Sequence, residues 1–92
     1  MIKSWKHKGL ENLFKNDSTK GVQPKHTERL KKQLATLHTI TKPEDMNLPG
    51  YNFHALKGNM KGLFAVTVNA NWRLTFGMKG IEVILVNYED YH

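Results

Sequence analysis

Apolar residues change their spacing partway along the chain. In residues 8–16, Leu10, Leu13 and Phe14 recur at helical spacing, and Asn16, Asp17, Ser18 and Gly21 then break the pattern. A second helix is predicted from Pro24 to Ile40, with Leu30, Leu34 and Leu37 on one stripe, Ala35 beside them, and Glu28, Arg29, Lys31 and Lys32 largely elsewhere. Proline is favourable at the first helical position, where its missing N–H costs nothing. No second helix joined by a short turn accompanies it, which argues against a helix-turn-helix reader of DNA. Residues 41–52, TKPEDMNLPGYN, carry two prolines and a glycine and are predicted irregular.

Beyond that point the period shortens. LFAVTV at 63–68, alternating Trp72, Leu74 and Phe76, and IEVILV at 81–86 are predicted strands, joined by Asn69-Ala70-Asn71 and by a turn around Lys79-Gly80. Such short spacers make antiparallel hairpins. A further short strand is expected around 53–56, and residues 2–6 suit an edge strand whose Lys3 and Lys6 discourage aggregation. The order is β-α-α-β-β-β: an α+β fold with two N-terminal helices packed on a small, mainly antiparallel sheet.

Composition narrows this to one domain over residues 1–92, with 39% apolar and 24% charged residues. No apolar run approaches membrane-spanning length, and the opening MIKSWKHKGL is too polar for a signal peptide. There is no cysteine, which removes disulfides and thiolate metal sites and suits a cytoplasmic location. Net charge is +6 and lopsided: residues 1–42 carry +7 and residues 43–92 carry −1. A polyanionic partner such as nucleic acid or a ribosome fits that excess. A merely solvated lysine surface fits it as well.

Candidate chemistry gathers in the strand half. Arg73 sits mid-strand on the face opposite Trp72 and Leu74, and only Arg29 joins it among fourteen basic residues as an arginine. Arginine grips phosphate bidentately. The alternative is an ordinary solvated arginine. His54 and Lys57 flank a strand end, and Asp90, Tyr91 and His92 close the chain. Brought together, these groups suit cleavage of RNA by its own 2′-hydroxyl. That reaction needs a base, an acid and cations for the phosphoryl charge, with an aromatic ring to hold a base. It needs no metal or cofactor. His54, Asp90 and His92 would equally serve as a metal-ligand set, though their spacing matches no known pattern.

HALKG at 54–58, VNANWRLTF at 68–76 and VNYEDYH at 86–92, with the opening IKSWKHKGLENLF, resemble the HigB toxins, a branch of the RelE-like toxins of type II toxin–antitoxin systems. The resemblance covers nearly the whole chain. It implies a RelE-like fold and a metal-independent endoribonuclease that cuts mRNA in the ribosomal A site, leaving a 2′,3′-cyclic phosphate, halting translation and arresting growth. It implies a HigA-type helix-turn-helix antitoxin as partner, through which the complex reaches operator DNA. Carried over position by position, it assigns His54, Lys57, Arg73, Asp90, Tyr91 and His92 to catalysis, and Lys57, Lys61, Arg73 and Tyr91 to RNA. Relatives often read HPLKGDRxG where this chain reads HALKGNMKG, so a basic contact is missing at Met60, which Lys61 partly replaces. A non-catalytic basic RNA- or protein-binding module in a repressor complex is the competing reading.

The chain end poses a geometric problem. Strict alternation puts Asp90 and His92 on one face and Tyr91 on the other. Convergence requires a bend after Tyr88, so the expectation is an ordered end that is not a straight strand.

Overall fold

A computed structural model describes residues 1–91; His92, and the role assigned to it, lie outside the described residues. Helix α1 is Lys8–Asn16 and helix α2 is Thr27–Leu37. They are followed by strands β1 (His54–Ala55), β2 (Leu63–Asn69), β3 (Trp72–Lys79) and β4 (Glu82–Asp90), in the antiparallel order β1-β2-β3-β4. The α+β architecture read from the pattern is the observed one.

Each helix ends for a local reason. His7 caps α1, its Nδ1 accepting from the Leu10 backbone N–H at 3.0 Å, and Asp17 ends the helix in the left-handed region at φ 55°. Helix α2 starts later than the leucine stripe suggested, because Pro24–His26 forms a 3₁₀ turn first, and it stops at Leu37. Leu30, Leu34 and Leu37 are fully buried, but Ala35 is exposed. Gln33 takes the inward place, its Nε2 donating to the Thr67 carbonyl at 2.9 Å and so tying α2 to the sheet.

The sheet's two faces differ. Val66, Leu74, Phe76, Val83, Val86 and Tyr88 belong to the buried core with the helix leucines. The opposite face carries Ala65, Thr67, Arg73, Thr75 and Glu89, aligned by the registers Ala65↔Thr75, Thr67↔Arg73 and Arg73↔Glu89. The expected N-terminal strand is reduced to two parallel bridges, Ile2↔Val83 and Trp5↔Val86. These still place backbone along β4, with Lys3 N donating to Val83 O at 2.7 Å and Val86 N to Ser4 O at 3.1 Å. The last strand therefore has a neighbour on each side.

One irregularity in β4 decides which residues face the open side. The register shifts between Thr75 and Gly77, where Leu85 adopts φ 57° and its N–H is taken by Ser4 Oγ at 2.9 Å. This is a β-bulge: one added residue exchanges the faces of everything after it. Val83 and Val86 can both be buried, three apart, only because of it. Past the bulge, Val86 and Tyr88 point to the core, and Asn87 and Glu89 share Arg73's side.

Beneath the sheet lies an aromatic cluster. Trp72 stacks on Tyr88 with centroids 4.6 Å apart, and His26 and His7 meet Tyr88 edge-on. Burial holds His26 and His7 below the ordinary histidine pKa of 6.5, with Lys25 adding to the effect at His26. Burial is also the main reason the Tyr88 hydroxyl is pushed up. Because both imidazoles are depressed, the unfolded chain takes up protons first as pH falls, and folding keeps these rings neutral at a growing cost. Their contribution is present above pH 6.5 and is lost as pH falls through their lower folded values. Thermal melts are thus expected to show a falling midpoint from about pH 7.5 to about pH 5, with a shallower slope for His26→Gln.

Candidate active site on the open sheet face

The open face holds a cleft of about 510 Å³ lined by His54, Lys57, Thr67, Asn71, Arg73 and Tyr91, among others. Sheet geometry explains the meeting. Strand β1 pairs with β2 through His54↔Ala65, so His54 shares a side with Arg73 one row away. Lys57 follows β1 and caps a short 3₁₀ turn, Gly58–Met60, that folds back over the sheet.

Arg73 is not a solvated arginine. It is 8% exposed, and its Nε and Nη2 donate to Glu89 Oε2 at 3.2 and 2.9 Å. Nη2 also meets the Met60 sulfur at 3.7 Å. The Tyr91 ring covers the guanidinium with 4.0 Å between the Cζ atom and the centroid. A planar cation held at one edge by a carboxylate and on one face by an aromatic ring has little freedom left. The bonds to Glu89 leave Nη1 as the edge not engaged by that carboxylate.

His54 is exposed, and its Nδ1 lies 2.9 Å from the Asn52 carbonyl. A carbonyl only accepts, so Nδ1 carries the proton and Nε2 is the bare, basic nitrogen. Asn52 itself sits at φ 50°, a left-handed conformation that asparagine tolerates better than most residues.

The expected bend after Tyr88 is absent. Strand β4 runs on to Asp90 with Trp72↔Asp90 in register, and the Tyr91 N–H donates to the Asn71 carbonyl at 2.7 Å. Alternation is kept from Val86 to Tyr91, because hairpin pairing with β3 continues as far as Asp90. Tyr91 consequently lands on Arg73, whereas exposed Asp90 pairs with Trp72 and does not line the cleft. Lys61 is exposed at the end of the 3₁₀ turn, also outside the lining. The structure therefore joins His54, Lys57, Arg73 and Tyr91, and sets Asp90 and Lys61 apart from them. Among the described residues, no three His, Asp or Glu side chains cluster as a metal site would require.

In the sequence Glu89 carries no assigned role, Met60 marks only a missing basic contact and Asn71 only a turn; in the structure Glu89 and Met60 touch Arg73 and Asn71 lines the cleft. Parity counted backwards from Tyr91 singles out Glu89 and Asn87 as residues of the same face. Pairing Glu89 with Arg73 needed the bulge-dependent register, which no local pattern announces.

A family model for the RelE-like toxin HigB of type II toxin–antitoxin systems matches residues 3–92. The chain belongs to this family. Among HigB relatives, it is 42% identical to the Endoribonuclease HigB of Proteus vulgaris across the full length of both chains. It is 32% identical over 78 residues to Toxin HigB-1 of Vibrio cholerae serotype O1, covering 83% of this chain and 82% of that one. Membership of the HigB family implies an antitoxin partner. The α+β arrangement of helices before an antiparallel sheet is that of a RelE-like fold. No helix among the described residues is long and apolar enough to cross a membrane.

Proposed function

We propose that the chain is a ribosome-dependent endoribonuclease that cuts mRNA in the A site and is neutralised by a HigA-type helix-turn-helix antitoxin. The observation that carries this reading is the cleft in which a buried arginine, pinned by Glu89 and covered by Tyr91, faces the same space as His54 and Lys57. The Proteus relative's description as an endoribonuclease supports the reaction class.

The chemistry follows from the groups. The RNA 2′-oxygen bonds to phosphorus while the P–O5′ bond breaks, giving a 2′,3′-cyclic phosphate and a 5′-hydroxyl. One group takes the 2′-OH proton and another protonates the leaving oxygen. His54, with a bare Nε2, is suited to the cleft side of that exchange. His92, outside the described residues, is assigned to proton transfer. Arg73 and Lys57 meet the charge that builds on the phosphoryl oxygens. Tyr91, 55% exposed above the guanidinium, offers its outer face to a base. None of these steps calls on a metal. The ribosome supplies the message already splayed at the cleft, an entropic gain that a small open face cannot provide alone.

The basic N-terminal half, at +7, is suited to ribosomal RNA and keeps the protein at its cytoplasmic target. Operator DNA is reached only through the antitoxin.

Induction without antitoxin tests the reading. Wild type is expected to arrest growth and cut message, and a Tyr91→Ala, His92→Ala double variant to do neither while remaining folded. Equal arrest by both would remove the catalytic assignment and favour a basic binding module.

A further inference from the structure

A second cavity, of about 360 Å³, lies across the β2–β3 turn from the cleft and is lined by Lys25, His26, Arg29, Val68 and Asn69. The turn itself, Asn69 to Trp72, separates the two: Asn69 faces the second cavity, and Ala70 and Asn71 line the first.

Two buried donors at this cavity lack a protein partner. His26 is 1% exposed, and its Nε2 has no hydrogen-bond partner among the described residues; the Arg29 Nε is likewise buried and unpartnered. The histidine tautomer follows from its other nitrogen. The Gln23 N–H donates to the Tyr88 hydroxyl at 3.3 Å, and that hydroxyl lies 2.6 Å from His26 Nδ1. No other acceptor for that hydroxyl's single proton is found among the described residues, so donation to Nδ1 satisfies it and places the ring hydrogen on Nε2. Both unpartnered atoms are thus N–H donors, and a buried donor without a partner is costly.

Arg29 is also held in place. Its Nη2 donates to the carbonyls of Gly50 at 2.9 Å and Thr67 at 3.3 Å, and its Cζ lies 5.3 Å from the Tyr51 ring centroid. Lys25 adds an exposed cation and Asn69 an amide. Among the described residues, no carboxylate lines the cavity. A set of cations and N–H donors without an anion is complementary to an oxyanion.

We propose that Lys25, His26 Nε2, Arg29 Nε and Asn69 form a binding site for a backbone phosphodiester of RNA, distinct from the catalytic cleft. This rests on the reading of the chain as an RNA-cleaving protein. An RNA strand crossing the Asn69–Trp72 turn meets donors on both sides of it, so the second site fixes the register in which the strand enters the first.

The full-length chain tests this with three probes: inorganic phosphate, a 2′-O-methyl single-stranded oligonucleotide that cannot be cut, and purified ribosomes. Lys25→Gln and Asn69→Asp leave the buried ring and Arg29 in place, the second setting a carboxylate against the proposed anion. Phosphate is expected to shift the His26 ring nitrogen resonances saturably in wild type and not in Asn69→Asp. RNA affinity is expected to fall at least about tenfold in Asn69→Asp. The slope of log affinity against log salt is expected to flatten by roughly 0.7–0.9 for each phosphate that is no longer neutralised. Weaker binding of the oligonucleotide places the site on the message, and weaker binding of ribosomes alone places it on ribosomal RNA. A phosphate response with unchanged RNA and ribosome affinities would mean an adventitious ion only and overturn the proposal. An unresponsive His26 would overturn it too, its N–H then being spent on the neighbouring Trp72 ring. Failure of the cleavage reading is separately visible, as uncut message with phosphate binding intact.

Discussion

Replacing Arg73 by alanine is expected to lower message cleavage by about 10²–10³-fold with the chain still folded, the loss typical of removing one preorganised donor from a developing oxyanion. The size of the effect comes from how Arg73 is held. Its guanidinium is fixed by Glu89 and covered by Tyr91, so no reorganisation is needed when charge develops. Arg73→Lys should recover only part of the rate, because an ammonium cannot keep the Glu89 contact and present a second edge together. The stability cost of Arg73→Ala should be about 1–3 kcal/mol, since the guanidinium is buried while Glu89 remains partly solvated and keeps the Asn87 amide at 3.5 Å. Single-turnover cleavage alongside circular dichroism measures both. Wild-type cleavage by Arg73→Ala would detach the arginine from the chemistry.

Phe76→Ala carries the largest expected effect on stability, about 3–5 kcal/mol. Phe76 is fully buried on the core face of β3, pairs in register with Phe64, and meets its ring at a centroid distance of 5.7 Å. It also lies opposite the β4 bulge, where the register shifts between Thr75 and Gly77. Loss of the ring opens a cavity at the point where the faces of β4 are set. A domain of this size has about 5–15 kcal/mol in all, so the variant should sit near the limit of folding. Urea unfolding is expected to show a much lower midpoint at unchanged m.

Periodicity made the helices and the three long strands legible. Leu10, Leu13, Leu30, Leu34 and Leu37 are buried as their spacing requires, and Leu74 and Phe76 face the core as alternation requires. What escaped the pattern were features set by tertiary pairing. Gln33, three residues after Leu30 and four before Leu37, lies on the buried stripe of α2 where Ala35 does not, and a polar side chain is accepted there because its Nε2 donates to the Thr67 carbonyl. Leu85 in a left-handed conformation could not be foreseen from an unbroken run of β-branched and leucine residues. The site was legible as a set of residue types, and His54, Lys57, Arg73 and Tyr91 do meet. Its organisation was not. Glu89 had to be paired with Arg73 by register, and the straight end of β4 kept Asp90 on the other face.

The reaction proposed for this open face is cleavage of message on the ribosome by internal attack of the 2′-hydroxyl. The most direct measurement is the end chemistry of message cut by the purified chain in the presence and absence of programmed ribosomes. Fragments bearing a 2′,3′-cyclic phosphate and a 5′-hydroxyl, formed only with ribosomes present, are the predicted result. Fragments bearing a 5′-phosphate and a 3′-hydroxyl, or equal cutting of free RNA, would contradict it.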